Sequence, residues 1–177
     1  MKRKIKVLIL LLFFVISGFL GFQFYITLQK KAKQNDQMTH LPEFSLMDTM
    51  GKVRTKANIV QNRWTVFVFF NSECHYCQEE AQQLKSQKDK IDKTQFVWVS
   101  SEPYKTITNF QNLYGLGDHP NITFLQDYNA EFTKLCNIKS TPHFLVYDTK
   151  GKIVISHKGA WRIDKLLDNI ANEFKTP

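Results

Sequence analysis

Two cysteines separated by two residues, Cys74-His75-Tyr76-Cys77, carry the most distinctive chemistry in this sequence. They follow directly on the apolar run from Trp64 to Phe70 (WTVFVFF) and open a stretch with helical spacing. A thiolate is the nucleophile in disulfide exchange. A helix N-terminus presents unpaired N–H groups and partial positive charge, which favour thiolate over thiol. The effect falls chiefly on Cys74, whose sulfur is expected to be exposed and to act as nucleophile. Cys77 lies one turn in, where it can attack a mixed disulfide and release the substrate. The pair is therefore read as a redox-active disulfide couple. Metal binding is the competing reading, but a structural zinc site needs a second ligand pair. Beyond the pair there is only Cys136, and no His-x₃₋₅-His follows it. No metal and no cofactor are expected, and Cys136 reads as a small buried hydrophobe.

The elements that position this pair alternate along residues 41–177. LPEFSLMDTMGKVRT reads as a hairpin with its turn at Asp48 to Gly51. WTVFVFF is apolar at every position, the pattern of a strand buried on both faces. A helix is expected from His75 to about Lys90, with Cys77, Ala81, Leu84 and Ile91 as its inner stripe. Gln95 to Ser100 is the next strand. Pro103 starts a helix with Ile107, Phe110, Leu113 and Tyr114 on one face, closed by Gly115 and Gly117. A short strand (Ile122 to Leu125) and a short helix (Ala130 to Leu135) follow. Phe144 to Asp148 and Ile153 to Ser156 form a hairpin about Thr149-Lys150-Gly151, and Ile163, Leu166, Leu167 and Ile170 mark a closing helix. Helical crossovers imply parallel strands, while the last hairpin is antiparallel. The fold class is α/β, a central mixed sheet covered by helices on both faces.

The net charge of +8 sits almost wholly at one end. Residues 1–33 hold seven bases and no acid, leaving 17 bases against 16 acids in residues 34–177. A basic nucleic-acid domain is thereby excluded. A hydrophobic content of 43% with 15 Phe argues for a folded core rather than disorder. Residues 7–28 (VLILLLFFVISGFLGFQFYITL) carry no charge. As a helix they would span roughly 33 Å, enough for a bilayer core of about 30 Å. A cleavable signal peptide has a shorter apolar region, about 7–15 residues. Cleavage at the weak Val15-Ile16-Ser17 site would leave an apolar terminus. The segment reads as an uncleaved anchor, with residues 1–6 a cytoplasmic tail held inside by its positive charge. Residues 29–40 read as a polar tether to the exported domain.

With these residues in view, about 41–174 of the chain resembles the thioredoxin superfamily, and within it the membrane-anchored TlpA/ResA-like redoxins. LPEFSLMDTMGKVRT resembles the N-terminal hairpin of that branch. VFVFFNSECHYC resembles its strand and active-site turn. Ser140-Thr141-Pro142 followed by HFLVYDTKGKIV resembles its cis-proline loop and terminal hairpin. The resemblance implies a thioredoxin-like fold with an N-terminal β-hairpin extension. It makes Pro142 a cis-proline beside the cysteines, with the backbone of Thr141 hydrogen-bonding an extended substrate segment. His75 and Tyr76, between the cysteines, are expected at the substrate surface, with His75 able to stabilise the thiolate when protonated. Glu80 matches the acidic position after the second cysteine, where a partly buried carboxyl has a raised pKa and passes protons to and from the thiols. Glu79 is the alternative, because helix periodicity turns one of the two outward. Three positions depart from thioredoxins or from the branch: Val68 stands where thioredoxins place a buried acid, Glu73 where tryptophan is usual, and Gln82 where a proline commonly bends the helix.

The expected function is a thiol–disulfide oxidoreductase anchored by one helix in the bacterial cytoplasmic membrane, its catalytic domain periplasmic or otherwise extracytoplasmic. Its expected partners are disulfides of exported proteins and a membrane thiol electron donor, for example in cytochrome c maturation. Two alternatives share the site. One runs the couple in reverse, as an oxidase or isomerase. The other is a Cu(I)-delivery protein using Cys74 and Cys77, with His143 as a candidate further ligand.

Overall fold

The computed structural model describes residues 16–27, 39–59 and 62–173. It divides into two units, residues 1–39 and 40–177. In the first, residues 16–27 form a helix (α1) in which the Thr27 hydroxyl donates to the Gln23 carbonyl at 2.8 Å. Among the described residues no helix is long and apolar enough to cross a membrane. The expected tail 1–6, residues 7–15 and 28 of the expected span and residues 29–38 of the tether lie outside the described residues.

Among the described residues the second unit is built on seven strands: β1 (Ser45–Asp48), β2 (Val53–Thr55), β3 (Trp64–Phe69), β4 (Thr94–Ser100), β5 (Ile122–Gln126), β6 (His143–Tyr147) and β7 (Ile153–Lys158). Their order across the sheet is β2-β1-β5-β4-β3-β6-β7. Strands β3, β4 and β5 run parallel, and the two hairpins attach antiparallel at the flanks, β1 to β5 and β6 to β3. The helices are α2 (His75–Ser86), α3 (Tyr104–Leu113), α4 (Glu131–Leu135) and α5 (Ile163–Glu173).

Every residue of β3 and β4 is buried, as inner strands of a sheet covered on both faces must be. Alternation divides them between two faces. Val66, Val68, Phe96, Trp98, Phe124 and Phe144 pack with Cys77, Ala81 and Leu84 of α2, Ile107 and Phe110 of α3, and Ile163 and Leu166 of α5. The opposite face carries Phe67 and Phe69, against which Phe132 of α4 and Phe44 stack at ring distances of 5.5–5.8 Å. Helices thus cover both faces, unevenly. The β3–α2–β4 and β4–α3–β5 crossovers step the same way across the sheet, so right-handedness puts both helices on one side. The step back from β5 to β6 carries α4 to the other.

Several boundaries differ from the sequence reading. Helix α2 ends at Ser86, because Gln87 adopts φ −113°, ψ 9° and its N–H turns to the Leu84 carbonyl; a 3₁₀ turn, Lys88–Lys90, completes the segment. Helix α4 begins at Glu131, because Ala130 is left-handed at φ 54°. Strand β6 starts at His143 and stops at Tyr147, because the Asp148 carboxylate accepts from the Lys150 and Lys152 N–H groups and makes the turn. Strand β7 pairs as far as Lys158, opposite His143.

The first hairpin is locked by Asp48, whose carboxylate accepts from Met50 N–H, Lys52 N–H and, at 2.7 Å, Arg54 Nε. Burial alone would raise its pKa, but these bonds outweigh it and hold the carboxyl below its ordinary value. Asp48→Ala is expected to destabilise the domain by about 2 kcal/mol in urea unfolding at neutral pH. A change under about 0.5 kcal/mol would show that the turn holds without the carboxylate.

Candidate active site

The parallel strands end together, and their C-terminal edge is where a side chain can stand clear of the core. The chain leaves β3 at Phe69, and Phe70 N–H is still held by the Val99 carbonyl at 3.0 Å. Asn71 then makes the turn: its carbonyl accepts from Cys74 N–H and its side-chain oxygen from Glu73 N–H. Cys74 takes the N-cap of α2 in extended conformation (φ −74°, ψ 114°). Its sulfur is half-exposed at the positive end of the helix, while Cys77 is fully buried against the core. Both are free thiols. Of the two sulfurs, that of Cys74 reaches the surface and that of Cys77 does not.

The Thr141–Pro142 peptide is cis, as the resemblance implies. It brings the Thr141 carbonyl to 3.9 Å from Cys74 Sγ, which donates to it. The Pro142 carbonyl in turn accepts from Gly159 N–H at 2.9 Å. Thr141 thus lies beside Cys74. His75 and Tyr76 lie at the rim, both exposed, with the His75 ring turned to Glu79 at 3.0 Å on the solvent side.

Of the two glutamates, Glu79 faces water and Glu80 is 1% exposed. Glu80 Oε1 accepts from Trp161 N–H at 2.9 Å, and Oε2 is buried without a hydrogen-bond partner among the described residues. Burial pushes the Glu80 carboxyl up to about 8, partly opposed by the Trp161 bond and reinforced by the charge of Glu79. Burial also pushes the Cys77 thiol well above its ordinary value. The Cys74 thiol and the charge of Glu80 raise it further, against a bond from the Asn71 backbone. The site therefore holds an accessible sulfur, a buried sulfur that resists ionisation, and a buried carboxyl that burial holds in its protonated form well above the usual carboxylate range.

Sequence reasoning missed the groups that hold the active-site turn. Glu102 accepts from Ser72 N–H at 2.8 Å, Ser72 Oγ at 2.6 Å and Ser100 Oγ at 3.0 Å, and its carbonyl takes Gln126 Nε2. Gln78 Nε2 donates to the Ser72 carbonyl. The signal exists only once register is known: Phe69 pairs with Val99, and the same offset of thirty brings residue 102 to residue 72.

The remaining candidates do not join the site. Cys136 is buried, its thiol pushed up to about 12 by burial and by Asp127. His143 is half-buried, hydrogen-bonded to Ser156 Oγ, and its pKa is lowered by burial and by His157 and Lys158. Among the described residues no three His, Cys, Asp or Glu side chains gather in a way that could hold a metal ion.

A model described as the AhpC/TSA family matches residues 38–156. No curated protein matches the sequence. Among solved structures, the chain is similar to a putative thioredoxin from Neisseria meningitidis (22% identity, TM-score 0.66, covering 78% of this chain and 91% of that one). It is similar to a secreted Mycobacterium tuberculosis disulfide oxidoreductase homologous to E. coli DsbE (22%, TM-score 0.63, 73% and 95%). Copper-bound ScoI from Arabidopsis thaliana aligns at 17% identity and TM-score 0.61, over 78% and 99%. These likenesses establish the thioredoxin-like fold. With the family match over well more than half its length, and in agreement with the redoxin motifs it carries, the chain belongs to the AhpC/TSA family as an oxidoreductase of thioredoxin-like fold.

Proposed function

We propose that this protein is a membrane-anchored, extracytoplasmic thiol–disulfide oxidoreductase that reduces disulfides of exported proteins. One observation carries the reading: an exposed Cys74 under the Thr141 carbonyl, backed by a buried Cys77 and a buried Glu80. The Cys74 thiolate attacks one sulfur of a substrate disulfide, forming a mixed disulfide and expelling the other substrate sulfur as thiolate. Cys77 gives its proton to the Glu80 carboxylate and attacks Cys74 Sγ. The substrate leaves with both sulfurs reduced, and Cys74 and Cys77 are joined in a disulfide. A membrane thiol carrier returns two electrons to that disulfide, and Glu80 returns the proton to Cys77.

The charge-free segment 7–28, flanked by seven bases, supports the anchor and its orientation. In this reading the near-neutral domain lies outside the bacterial cytoplasmic membrane, where exported disulfides arise. The likeness to a secreted disulfide oxidoreductase agrees with that location. Apocytochrome c awaiting haem attachment is the substrate class the redoxin resemblance suggests. The reduction potential against glutathione tests the direction. A reductant is expected near or below about −250 mV, and a value near −120 mV would make the protein an oxidase.

A further inference from the structure

Residues 159–162 form a strap from β7 to α5 that crosses the site and carries the Trp161 N–H bound to Glu80. The strap has an anchor at each end. Gly159 N–H donates to the Pro142 carbonyl at 2.9 Å, on the cis-proline loop. At the other end Ile163 N–H donates to Gln83 Oε1 at 3.0 Å, on α2. Ile163 is fully buried and opens α5, so its N–H is one of the helix-start donors without an intrahelical acceptor. Gln83 supplies the acceptor that water cannot. Gln83 also lies three residues after Glu80, so the two side chains leave α2 on the same face and receive the strap together. The Trp161 indole adds packing, edge-on to Phe144 at 5.7 Å and over His157 at 4.7 Å.

We infer that Gln83 is a positioning residue: it clamps the strap to α2, so that the Trp161 N–H occupies Oε1 of Glu80 and Oε2 alone is left to exchange a proton. The inference deepens, and rests on, the proton-carrying reading of Glu80. An N–H donated to a carboxylate favours its ionised form. Loosening the strap therefore keeps Glu80 protonated to higher pH. Cys77 and Glu79 on α2 act on the same carboxyl, and the strap and its ends bring His157 and the exposed Arg162–Asp164 pair. A Gln83 substitution alters none of these groups.

The test is a ¹³C NMR titration of the Glu80 carboxyl in the full-length reduced protein, for wild type, Gln83→Leu and Gln83→Met. Gln83→Met keeps the length of the side chain, Gln83→Leu is one atom shorter, and both remove the amide oxygen that accepts from Ile163 N–H. The Glu80 midpoint is expected to rise by about one pH unit in both, with faster hydrogen exchange at the Trp161 amide. An unchanged midpoint overturns the inference. So does an unprotected Trp161 amide in the wild-type protein, a measurement that needs no variant. If the midpoint rises while the pH profile of disulfide reduction stays in place, the role of Gln83 stands and the proton-carrying reading of Glu80 falls. If the midpoint stays while Glu80→Gln still abolishes that profile, the reverse holds.

Discussion

Cys74→Ser is expected to lower the rate of protein-disulfide reduction by roughly three orders of magnitude or more, while Cys77→Ser leaves the first attack intact and accumulates mixed disulfides. The two outcomes follow from exposure. Cys74 Sγ stands half-exposed at the N-terminus of α2, whereas Cys77 is fully buried. A serine at 74 would need a general base, and the nearest imidazole in sequence, His75, is turned to Glu79 on the solvent side. Cys77 cannot substitute for the lost nucleophile, because no protein disulfide reaches it without opening the core. With serine at 77 the mixed disulfide on Cys74 has no neighbouring thiol to break it, and it persists until an external thiol intervenes. Turnover with a protein disulfide gives the rates, and non-reducing gels count the trapped species. A Cys74→Ser protein that retains a tenth of the activity, or that captures substrate through Cys77, would sink the assignment.

The part of this arrangement that local pattern controls is legible in the sequence. WTVFVFF is buried at all its strand positions because β3 is an inner strand of a sheet covered on both faces, which leaves no solvent-facing side for alternation. Cys77, Ala81 and Leu84 are fully buried because their spacing follows the helix period. The same period separates Glu80, three residues after Cys77 and four before Leu84, from Glu79, and the inward Glu80 then meets the Trp161 N–H. What stays hidden depends on contacts across the chain. Ser72 meets Glu102 thirty residues on, and Glu80 and Gln83 meet Trp161 and Ile163 eighty or so residues on. No periodicity encodes such pairs, because they follow from strand register and from the return path of the chain. The end of α2 was hidden for a different reason. No glycine or proline marks Gln87, where the helix tightens and stops.

Glu80→Gln is expected to change the pH dependence of stability more than any other single substitution outside the core. Glu80 is the buried carboxyl whose pKa rises to about 8 from an ordinary 4.5. Between those values the unfolded chain has released a proton that the folded protein keeps. Wild-type stability therefore falls as pH rises through that window. Below about 4.5 both states hold the proton, and above about 8 both have lost it, so the penalty is then complete. Glutamine does not titrate, and comparing the two proteins at each pH cancels the other ionisable groups. The stability difference in favour of Glu80→Gln should widen by about 4 kcal/mol between pH 5 and pH 9, read by urea unfolding under reducing conditions. Any constant cost of the amide, whose –NH₂ would stand where Oε2 has no partner, shifts that curve without changing its slope. Parallel curves would mean that Glu80 is ionised at an ordinary pKa and is no proton store. The same substitution should remove the limb near pH 8 from the resolving step, because the amide cannot take the proton from Cys77. Stability gained at high pH and turnover lost over the same range then have one origin. The burial that makes the carboxyl costly to ionise is what lets it hold a proton at the pH where Cys77 must give one up.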